Sequence, residues 1–500
     1  MTRETSSRNR AALAAVCLSS LMFGLEISSI PAILPTLEQV LSADFRQLQW
    51  IMNAYTIAMT ACLMASGALA DRFGRKRVFM AGIAVFGLSS LACGLAPDAP
   101  VLIAARFVQG AGGAAMLACQ IAVLSHQFRD GRERSAAFSW WGIVFGTGLG
   151  FGPLVGGLTV AIASWEWVFL VHVALAVVTL LLAKAGVAES SDPHAVRIDL
   201  AGMVTLSLAV FSLVYLITRG EALRPGDPMG FAIAILGVAS FLIFVAVEMT
   251  VARPMFDFRA FRVPHFSGAL LGSAGMNFSF WPFVIYLPIY FQAVLGYDGV
   301  TAGFTLLGYT LPTLIAPPLG ERLLLRHGPR LVIPFGLFTI GTGFLLMWMA
   351  ANSGQAGWMT MLPGCIAAGT GLGLMNTPVT NTTTASVPVE RAGMASGMDM
   401  STRMISLAIN IALMGFILLQ GIRAHLGSAS SAGPALDAVA ATIAAGNLHA
   451  AENAGIARDA ARQALVGGFG WVMLYAALCA WALSALSFTI LARRRAVPAE

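Results

Sequence analysis

The chain has 500 residues, of which 57% are hydrophobic and only 11% are charged, and its mean hydropathy is +0.78. A soluble domain cannot bury so much apolar surface, whereas each membrane-spanning helix requires about 20 apolar residues. The composition therefore excludes a soluble enzyme and predicts a polytopic helical membrane protein. The net charge of +6 is not arranged in a basic stripe with interleaved aromatic residues, so we expect no nucleic-acid partner. The six cysteines lie singly in apolar segments and the seven histidines are scattered, so we expect no disulfide, metal site or cofactor.

Apolar segments along the chain predict fourteen transmembrane helices. They lie near residues 11–34, 47–70, 77–96, 101–125, 134–160, 164–184, 198–218, 229–249, 265–292, 298–320, 331–350, 357–379, 393–420 and 464–492. The first segment is too long for a signal-peptide core and lacks a small-residue cleavage site, so we expect it to be retained. An even number of spans places both termini on one side of the membrane.

The basic residues fall in alternate loops. Of the 30 Lys and Arg residues, 22 lie in one set of loops and termini and 6 lie in the other set. Because Lys and Arg accumulate in cytoplasmic loops, this asymmetry predicts a multi-pass protein of the bacterial inner (plasma) membrane with both termini in the cytoplasm. It also accounts for the pI of about 9.2.

Two extra spans between the sixth and the ninth divide the chain into three parts. They predict an N-terminal six-helix bundle at 1–187, a linker with two further transmembrane helices at 188–252, and a C-terminal six-helix bundle at 253–500. The Ala-rich segment 421–463 is expected to form an outer loop of the last part.

A short internal repeat supports two related halves. The segments Arg72–Arg77 and Arg326–Arg330 both follow an apolar span and both contain Arg-x-Gly-x followed by a basic residue, Lys76 in the first copy and Arg330 in the second, a pattern typical of a tight turn. Leu325 stands where the first copy has Asp71. Secondary transporters are often built from such repeats.

The turn after the second span reads GALADRFGRKR, from Gly67 to Arg77, and resembles the signature loop between helices two and three of the major facilitator superfamily. Gly74 suits the turn, and a carboxylate can bridge basic groups and helix ends. The alternative is that the basic residues only set the topology. The resemblance implies a cytoplasmic gate formed by Gly67, Asp71, Arg72, Gly74, Arg75 and Arg77.

The fourth span reads LIAARFVQG, from Leu102 to Gly110, and resembles the fourth-helix motif of the same superfamily, whose arginine is tied to proton transfer. An ionisable group in mid-span costs at least about 2.5 kcal/mol and is therefore a functional candidate. Gln109 lies on the same helix face as Arg106, three positions later. A purely structural arginine is the alternative.

The fifth span contains GTGLGFGPLVGG, from Gly146 to Gly157, and matches the pattern that marks antiporters in this superfamily. Stripes of small residues allow helix backbones to pack closely, and proline bends a helix. Ordinary tight packing is the alternative to a sliding seam. The residues of the motif are Gly146, Gly148, Gly150, Gly152, Pro153, Gly156 and Gly157.

The first span contains LEISSIPAILP, from Leu25 to Pro35, and is similar to the first-helix motif of the fourteen-helix drug:proton antiporters. That motif usually carries Asp where this chain has Glu26. Desolvation in a bilayer favours the neutral form of a carboxyl group, which suits a group that loads and releases a proton. Glu26 is therefore the best candidate for the coupling acid, with a structural ion pair as the alternative.

Asp399 and Arg403 form another candidate pair, at i and i+4 on the thirteenth span. We expect them to neutralise each other, and a second protonatable or substrate-binding site is the alternative. Near the outer mouth, the chain departs from the family at Glu166 and His172. The substrate-cavity candidates are Gln109, Tyr55, Asn277, Phe278, Phe280 and Trp281.

The resemblance covers essentially the whole chain. It implies an all-α membrane protein with the major facilitator fold, two six-helix bundles plus two linker helices, and no enzymatic activity. The implied function is proton-coupled export of lipophilic or cationic small molecules, such as drugs, by alternating access. A proton-coupled uptake symporter of the same fold is the alternative, and a membrane-embedded sensor or enzyme is the alternative of a different class. The sequence leaves open the substrate, the stoichiometry and any periplasmic adaptor.

Overall fold

A computed structural model describes residues 3–128, 131–191, 199–219, 227–251, 256–353, 357–387, 392–426 and 434–492. Within these ranges the backbone forms helices joined by turns, with no strand. The predicted all-α fold is therefore confirmed.

The described residues of the first part of the chain form nine helices. They are α1 Arg3–Ala32, α2 Leu34–Val40, α3 Phe45–Phe73, α4 Arg75–Gly94, α5 Ala99–Gln127, α6 Gly131–Ile162, α7 Glu166–Gly186, α8 Leu200–Arg219 and α9 Pro228–Thr250. Where caps are described, side chains satisfy the free amides at helix starts: Asp44 accepts from the Gln47 amide at α3, and Asp98 accepts from the Val101 amide at α5.

The second part of the chain begins with a 3₁₀ turn at Phe258–Arg262. The helices that follow are α10 Pro264–Asn277, α11 Phe280–Ile289, α12 Gly299–Ile315, α13 Pro317–His327, α14 Pro329–Asn352, α15 Trp358–Ala385, α16 Ala392–Leu426, α17 Pro434–Ala444, α18 Leu448–Asn453 and α19 Arg458–Leu491. The segment 421–463, expected to be an outer loop, contains α17 and α18.

Thirteen helical segments within the described ranges are long and apolar enough to cross a membrane. The predicted second span falls on α3, whose 29 residues are long enough but which is not among the thirteen. In α9, only 17% of the most apolar stretch is buried within the protein. An apolar helix with so little protein cover is suited to contact with lipid chains.

The two copies of the repeat, Arg-x-Gly-x followed by Lys or Arg, form equivalent turns. Gly74 joins α3 to α4 with a φ of 110°, and Gly328 joins α13 to α14 with a φ of 74°. Only glycine adopts this conformation without strain, so the same residue recurs where one helix must stop and the next begin at once.

The predicted ninth span is a discontinuous helix. α10 ends at Asn277, α11 begins at Phe280, and a π-helical turn follows at Tyr290–Val294. The break frees the carbonyl oxygen of Asn277, which accepts a hydrogen bond from the amide nitrogen of Asn410 at 2.9 Å. Side chains thus replace the missing helical bonds, as an interrupted membrane helix requires.

The helices group into two compact units. The first consists mainly of residues 1–216 and 222–244, and the second mainly of 245–298 and 304–500. The division into 1–187, 188–252 and 253–500 stays a prediction.

Candidate functional site

A buried ion pair lies at the centre of the first unit. Glu26 on α1 and Arg106 on α5 are both 0% exposed, and Nη1 of Arg106 donates to Oε1 of Glu26. The two residues are 80 positions apart in the chain. Packing of α1 against α5 therefore creates the pair, which neither span can form alone.

The guanidinium group of Arg106 is held on several sides. Its Nε donates to the carbonyl oxygen of Ile51 at 3.0 Å, and its Nη1 also donates to Oε1 of Gln109 at 2.7 Å. The ring of Tyr55 lies 4.5 Å from Cζ of Arg106, a cation–π distance. A lysine could not reproduce this arrangement, because only the planar guanidinium combines several directed bonds with stacking.

Gln109 extends the site toward α4. Its Nε2 donates to Oγ of Ser90 at 2.9 Å, and Sγ of Cys93 lies 3.8 Å from its Oε1. Ser90 and Gln109 are both fully buried. A buried polar network of this kind rigidifies its members when its bonds are satisfied.

Three polar atoms of the site have no hydrogen-bond partner among the described residues. They are Oε2 of Glu26, Nη2 of Arg106 and the hydroxyl of Tyr55. A buried polar atom without a partner is costly, and such atoms are common where a group has to change partners. The site therefore has the bonding capacity to accept a proton or a polar ligand group.

The position of Glu26 depends on the contact between α1 and α6. A Cβ atom on Gly148 would lie 2.9 Å from the carbonyl oxygen of Leu21 and 3.1 Å from the amide nitrogen of Leu25. A Cβ atom on Gly156 would lie 2.6 Å from the carbonyl oxygen of Ser29. The stripe Gly148, Gly152, Gly156 thus packs directly against the backbone of α1 on both sides of Glu26.

The two glycine stripes of α6 differ. The second stripe consists of Gly142, Gly146 and Gly150, and a Cβ atom on Gly142 would meet nothing within 4 Å. The remaining motif residues, Gly146, Gly150, Pro153 and Gly157, are buried in the same continuous helix.

A second buried pair lies in the second unit. Nε of Arg403 is 3.2 Å from both carboxylate oxygens of Asp399, and the side chains are 12% and 4% exposed. Both residues belong to α16, so the pair is formed within one helix.

Further groups complete the coordination of this second pair. Asp399 accepts from the hydroxyls of Ser273 and Thr380, and Arg403 donates to Oδ1 of Asn376 at 2.6 Å and to Oγ1 of Thr380 at 3.0 Å. Each carboxylate oxygen and each guanidinium nitrogen therefore has a described partner.

Of the cavity candidates in the ninth span, two are fully enclosed. Asn277 is 2% exposed and donates to the carbonyl oxygen of Ser273, and the ring of Phe280 stacks on Tyr309 with centroids 4.1 Å apart. Phe278 and Trp281 are half-buried. The break between α10 and α11 thus lies among these four residues.

The gate candidates surround the turn between α3 and α4. The carboxylate of Glu189, which follows α7, accepts from the amide of Lys76 at 3.0 Å and lies 3.7 Å from Nε of Arg77. A carboxylate in this position also interacts favourably with the N-terminal end of α4. The amide of Arg75 donates to the carbonyl oxygen of Ser190 at 2.8 Å.

Among the described residues, Arg72 and Gly67 make no contact equivalent to those of Glu189. The side chain of Arg72 is exposed and lies over the ring of Phe73 at 5.2 Å, and a Cβ atom added at Gly67 would meet nothing within 4 Å. The side chain of Asp71 lies outside the described residues.

The sequence analysis did not identify several polar residues of the hydrogen-bond networks around the two pairs. Ser90, Ser273, Thr380 and Asn376 occur in apolar spans at no characteristic spacing, so no sequence signal singles them out. Glu189 was likewise missed. His172, expected near the outer mouth, has its ring buried next to Glu26, because α7 packs against α1.

Comparisons with known proteins agree with this architecture. The sequence profile of the family described as "Major Facilitator Superfamily" matches residues 16–411. The chain is 30% identical over 414 residues to the multidrug resistance protein Stp of Mycobacterium tuberculosis, covering 83% of this chain and 76% of that protein. It is 31% identical over 418 residues to the puromycin resistance protein pur8 of Streptomyces alboniger, covering 83% of this chain and 82% of that protein.

Among solved structures, a bacterial homologue of the human lysosomal transporter Spinster superposes with a TM-score of 0.65 at 17% identity, covering 98% of this chain and 99% of that one. A D-xylose–proton symporter superposes with a TM-score of 0.57 at 13% identity, covering 81% and 90%. At these identities the likeness shows a shared fold and nothing more specific.

Proposed function

Because the chain belongs to the major facilitator superfamily, we propose that it exports small lipophilic or cationic molecules across the membrane in exchange for protons. The family consists of transporters, and its members act on small molecules by transport rather than by catalysis. Relatives at about 30% identity that are named multidrug and puromycin resistance proteins support the direction of transport and the substrate class.

The observation that carries proton coupling is the buried pair of Glu26 and Arg106. When Glu26 is ionised, it neutralises Arg106 and holds α1 to α5. When Glu26 takes up a proton, Arg106 loses its counter-charge at a position that is 0% exposed, which is strongly unfavourable. The unpaired charge therefore favours a rearrangement of α1 and α5. In transporters built from repeats, alternating access consists of one bundle moving against the other.

The other motif residues have supporting roles in the same cycle. The stripe Gly148, Gly152, Gly156 seals α6 against α1 and lets the two helices slide, and the Gly74 turn with its basic neighbours acts as the cytoplasmic gate. Candidates for substrate contact are Gln109 and Tyr55 in the first unit, and Asn277, Phe278, Phe280 and Trp281 in the second unit. The protein acts in the bacterial inner membrane with both termini in the cytoplasm, on the strength of its loop charges.

Transport in proteoliposomes tests the proposal. Purified protein is reconstituted with an imposed pH gradient, and the movement of tetraphenylphosphonium and of puromycin is followed together with proton flux. We expect the wild-type protein to move substrate in the direction opposite to the proton flux. We expect Glu26→Gln to bind substrate, but its transport should no longer respond to the pH gradient. Glu452→Gln is the matched control, because this acid is 54% exposed on α18.

Two outcomes would overturn the proposal. Unchanged coupling in Glu26→Gln would remove Glu26 from proton transfer. Substrate accumulation in the same direction as the proton gradient would instead indicate uptake by symport. Reporter fusions at each terminus test the topology, and termini on opposite sides would contradict it.

A further inference from the structure

His172 on α7 lies in the same buried site as the acid proposed for coupling. Its ring is 1% exposed, and its Nε2 is 3.6 Å from Oε2 of Glu26. That oxygen has no hydrogen-bond partner among the described residues, whereas the other oxygen of the same carboxylate is bound by Arg106. Glu26 therefore lies between an arginine and a histidine.

Both ring nitrogens of His172 face oxygen atoms that can only accept hydrogen bonds. Nδ1 is 3.0 Å from the carbonyl oxygen of Val168, and Nε2 is 3.2 Å from the carbonyl oxygen of Met22. A neutral imidazole has one N–H, so one of these two contacts would place a nitrogen lone pair against a carbonyl lone pair. The charged imidazolium has two N–H groups and can donate to both carbonyl oxygens.

The helices packed against α7 bring few other ionisable groups. From α1 the ring faces Glu26, and from α4 it meets the edge of Phe86 at 5.7 Å, with Cys93 the buried titratable side chain of that helix. The sequence of α6 has no ionisable residue between 135 and 162. Arg106 on α5 is the remaining charge, and it binds the far oxygen of the same carboxylate.

We propose that His172 is a second proton-carrying group of this site and that it transfers its proton to Glu26, an inference that rests on the proposed function. In the transfer the Nε2–H bond of His172 breaks and an O–H bond forms at Oε2 of Glu26. A cation and an anion become a neutral imidazole and a neutral carboxyl group, so the total charge of the site is unchanged. The separation of 3.6 Å must first shorten to about 2.6–3.2 Å, the range for proton transfer.

The transfer has a direct consequence for Arg106. Once Glu26 is neutral, Arg106 keeps only its bonds to Ile51 and Gln109 and no longer has a counter-charge in the site. Proton transfer from His172 to Glu26 is then enough to weaken the link between α1 and α5. The proton transfer from His172 therefore determines the point in the cycle at which Glu26 becomes neutral.

Nitrogen NMR of the purified full-length protein in lipid nanodiscs tests the proposal directly. With ¹⁵N-labelled histidine, we expect both ring nitrogens of His172 to be protonated at pH 7. In Glu26→Gln the ratio of charged to neutral imidazole should fall at least about tenfold, because the neighbouring negative charge is lost. His449→Gln is the control, since this histidine is 74% exposed on α18, and it should leave the His172 signal unchanged.

Assignment of the signal does not depend on one variant. His172→Gln removes it, and a chain in which His172 is the only histidine left retains it alone. A neutral single tautomer at pH 7 in the wild type, or a ratio unaffected by Glu26→Gln, would overturn the proposal.

Transport separates this inference from the proposed function. We expect His172→Gln to alter the pH profile of proton-driven transport. Loss of a purely structural residue would instead lower the rate equally at every pH, and this result would contradict the proposal. If Glu26→Gln stays coupled, the proposed function fails whatever the NMR result. If Glu26→Gln uncouples transport while His172 is neutral, only the role of His172 fails.

Discussion

The first unit holds the pair of Glu26 and Arg106, and the second unit holds the pair of Asp399 and Arg403. Both carboxylates are buried, but the first pair joins two helices and leaves Oε2 of Glu26 and Nη2 of Arg106 without hydrogen-bond partners among the described residues. The second pair lies on one helix, at i and i+4, and all of its polar atoms are bonded.

The difference indicates two different roles. In a fully bonded pair within one helix, every neighbouring group is oriented to stabilise the ionised form. A change in protonation would therefore break hydrogen bonds without forming new ones. A pair between helices with open bonding positions can exchange partners, and its loss separates the helices. We therefore interpret the second pair as structural and the first as the pair that switches.

The largest expected effect compares the two acids in transport. Because no step of the proposed cycle protonates Asp399, Asp399→Asn should lower stability through the lost counter-charge of Arg403 but keep the response of transport to the pH gradient within about threefold, whereas Glu26→Gln should lose at least about tenfold of that response. Proteoliposome flux under the same pH gradient measures both. The reverse order of effects would move the coupling role to Asp399.

An intermediate effect concerns the helix contact on which only the first pair depends. Gly148→Ala should destabilise the protein by about 1–3 kcal/mol, because the new Cβ would lie 2.9 Å from the carbonyl oxygen of Leu21, a backbone atom that cannot move alone. Thermal unfolding in nanodiscs measures the loss. Gly142→Ala is the matched control in α6, because a Cβ atom there would meet nothing within 4 Å, and equal effects of the two substitutions would contradict close packing as the cause.

The smallest expected effect is on stability, when the hydroxyl of one tyrosine in each unit is removed. Tyr286 donates to the carbonyl oxygen of Ile411 at 2.6 Å, so Tyr286→Phe should cost about 1 kcal/mol of stability. The hydroxyl of Tyr55 has no partner among the described residues, so Tyr55→Phe should change stability by less than about 0.5 kcal/mol while keeping the ring over Arg106. A larger loss in Tyr55→Phe than in Tyr286→Phe would show that the first site is as fully bonded as the second.

Much of the local structure follows from sequence alone. Apolar length and the alternation of basic loops predict the helical spans, and the requirement for positive φ at a tight turn explains why Gly74 and Gly328 occupy equivalent places. The i, i+4 spacing of Asp399 and Arg403 predicts their contact, because both belong to one helix. These features depend on neighbours within a few residues of each other.

Contacts between distant helices are a different matter. The sequence singles out Glu26 and Arg106 as unusual in apolar spans, but no periodicity joins residues 80 positions apart, and nothing in the sequence predicts that Ser90 and His172 meet the same network. The break at Asn277 and the role of Glu189 at the α3–α4 turn are of the same kind.

The sequence by itself thus determined the membrane class, the helices, the turns and the identity of the buried charged residues, since these follow from hydropathy, backbone sterics and the cost of burying charge. Only the tertiary structure decided which groups those charges meet and which bonding positions remain open. The physical reason is that a hydrogen bond depends on position to within a few tenths of an ångström, and helix packing, not chain order, sets those positions.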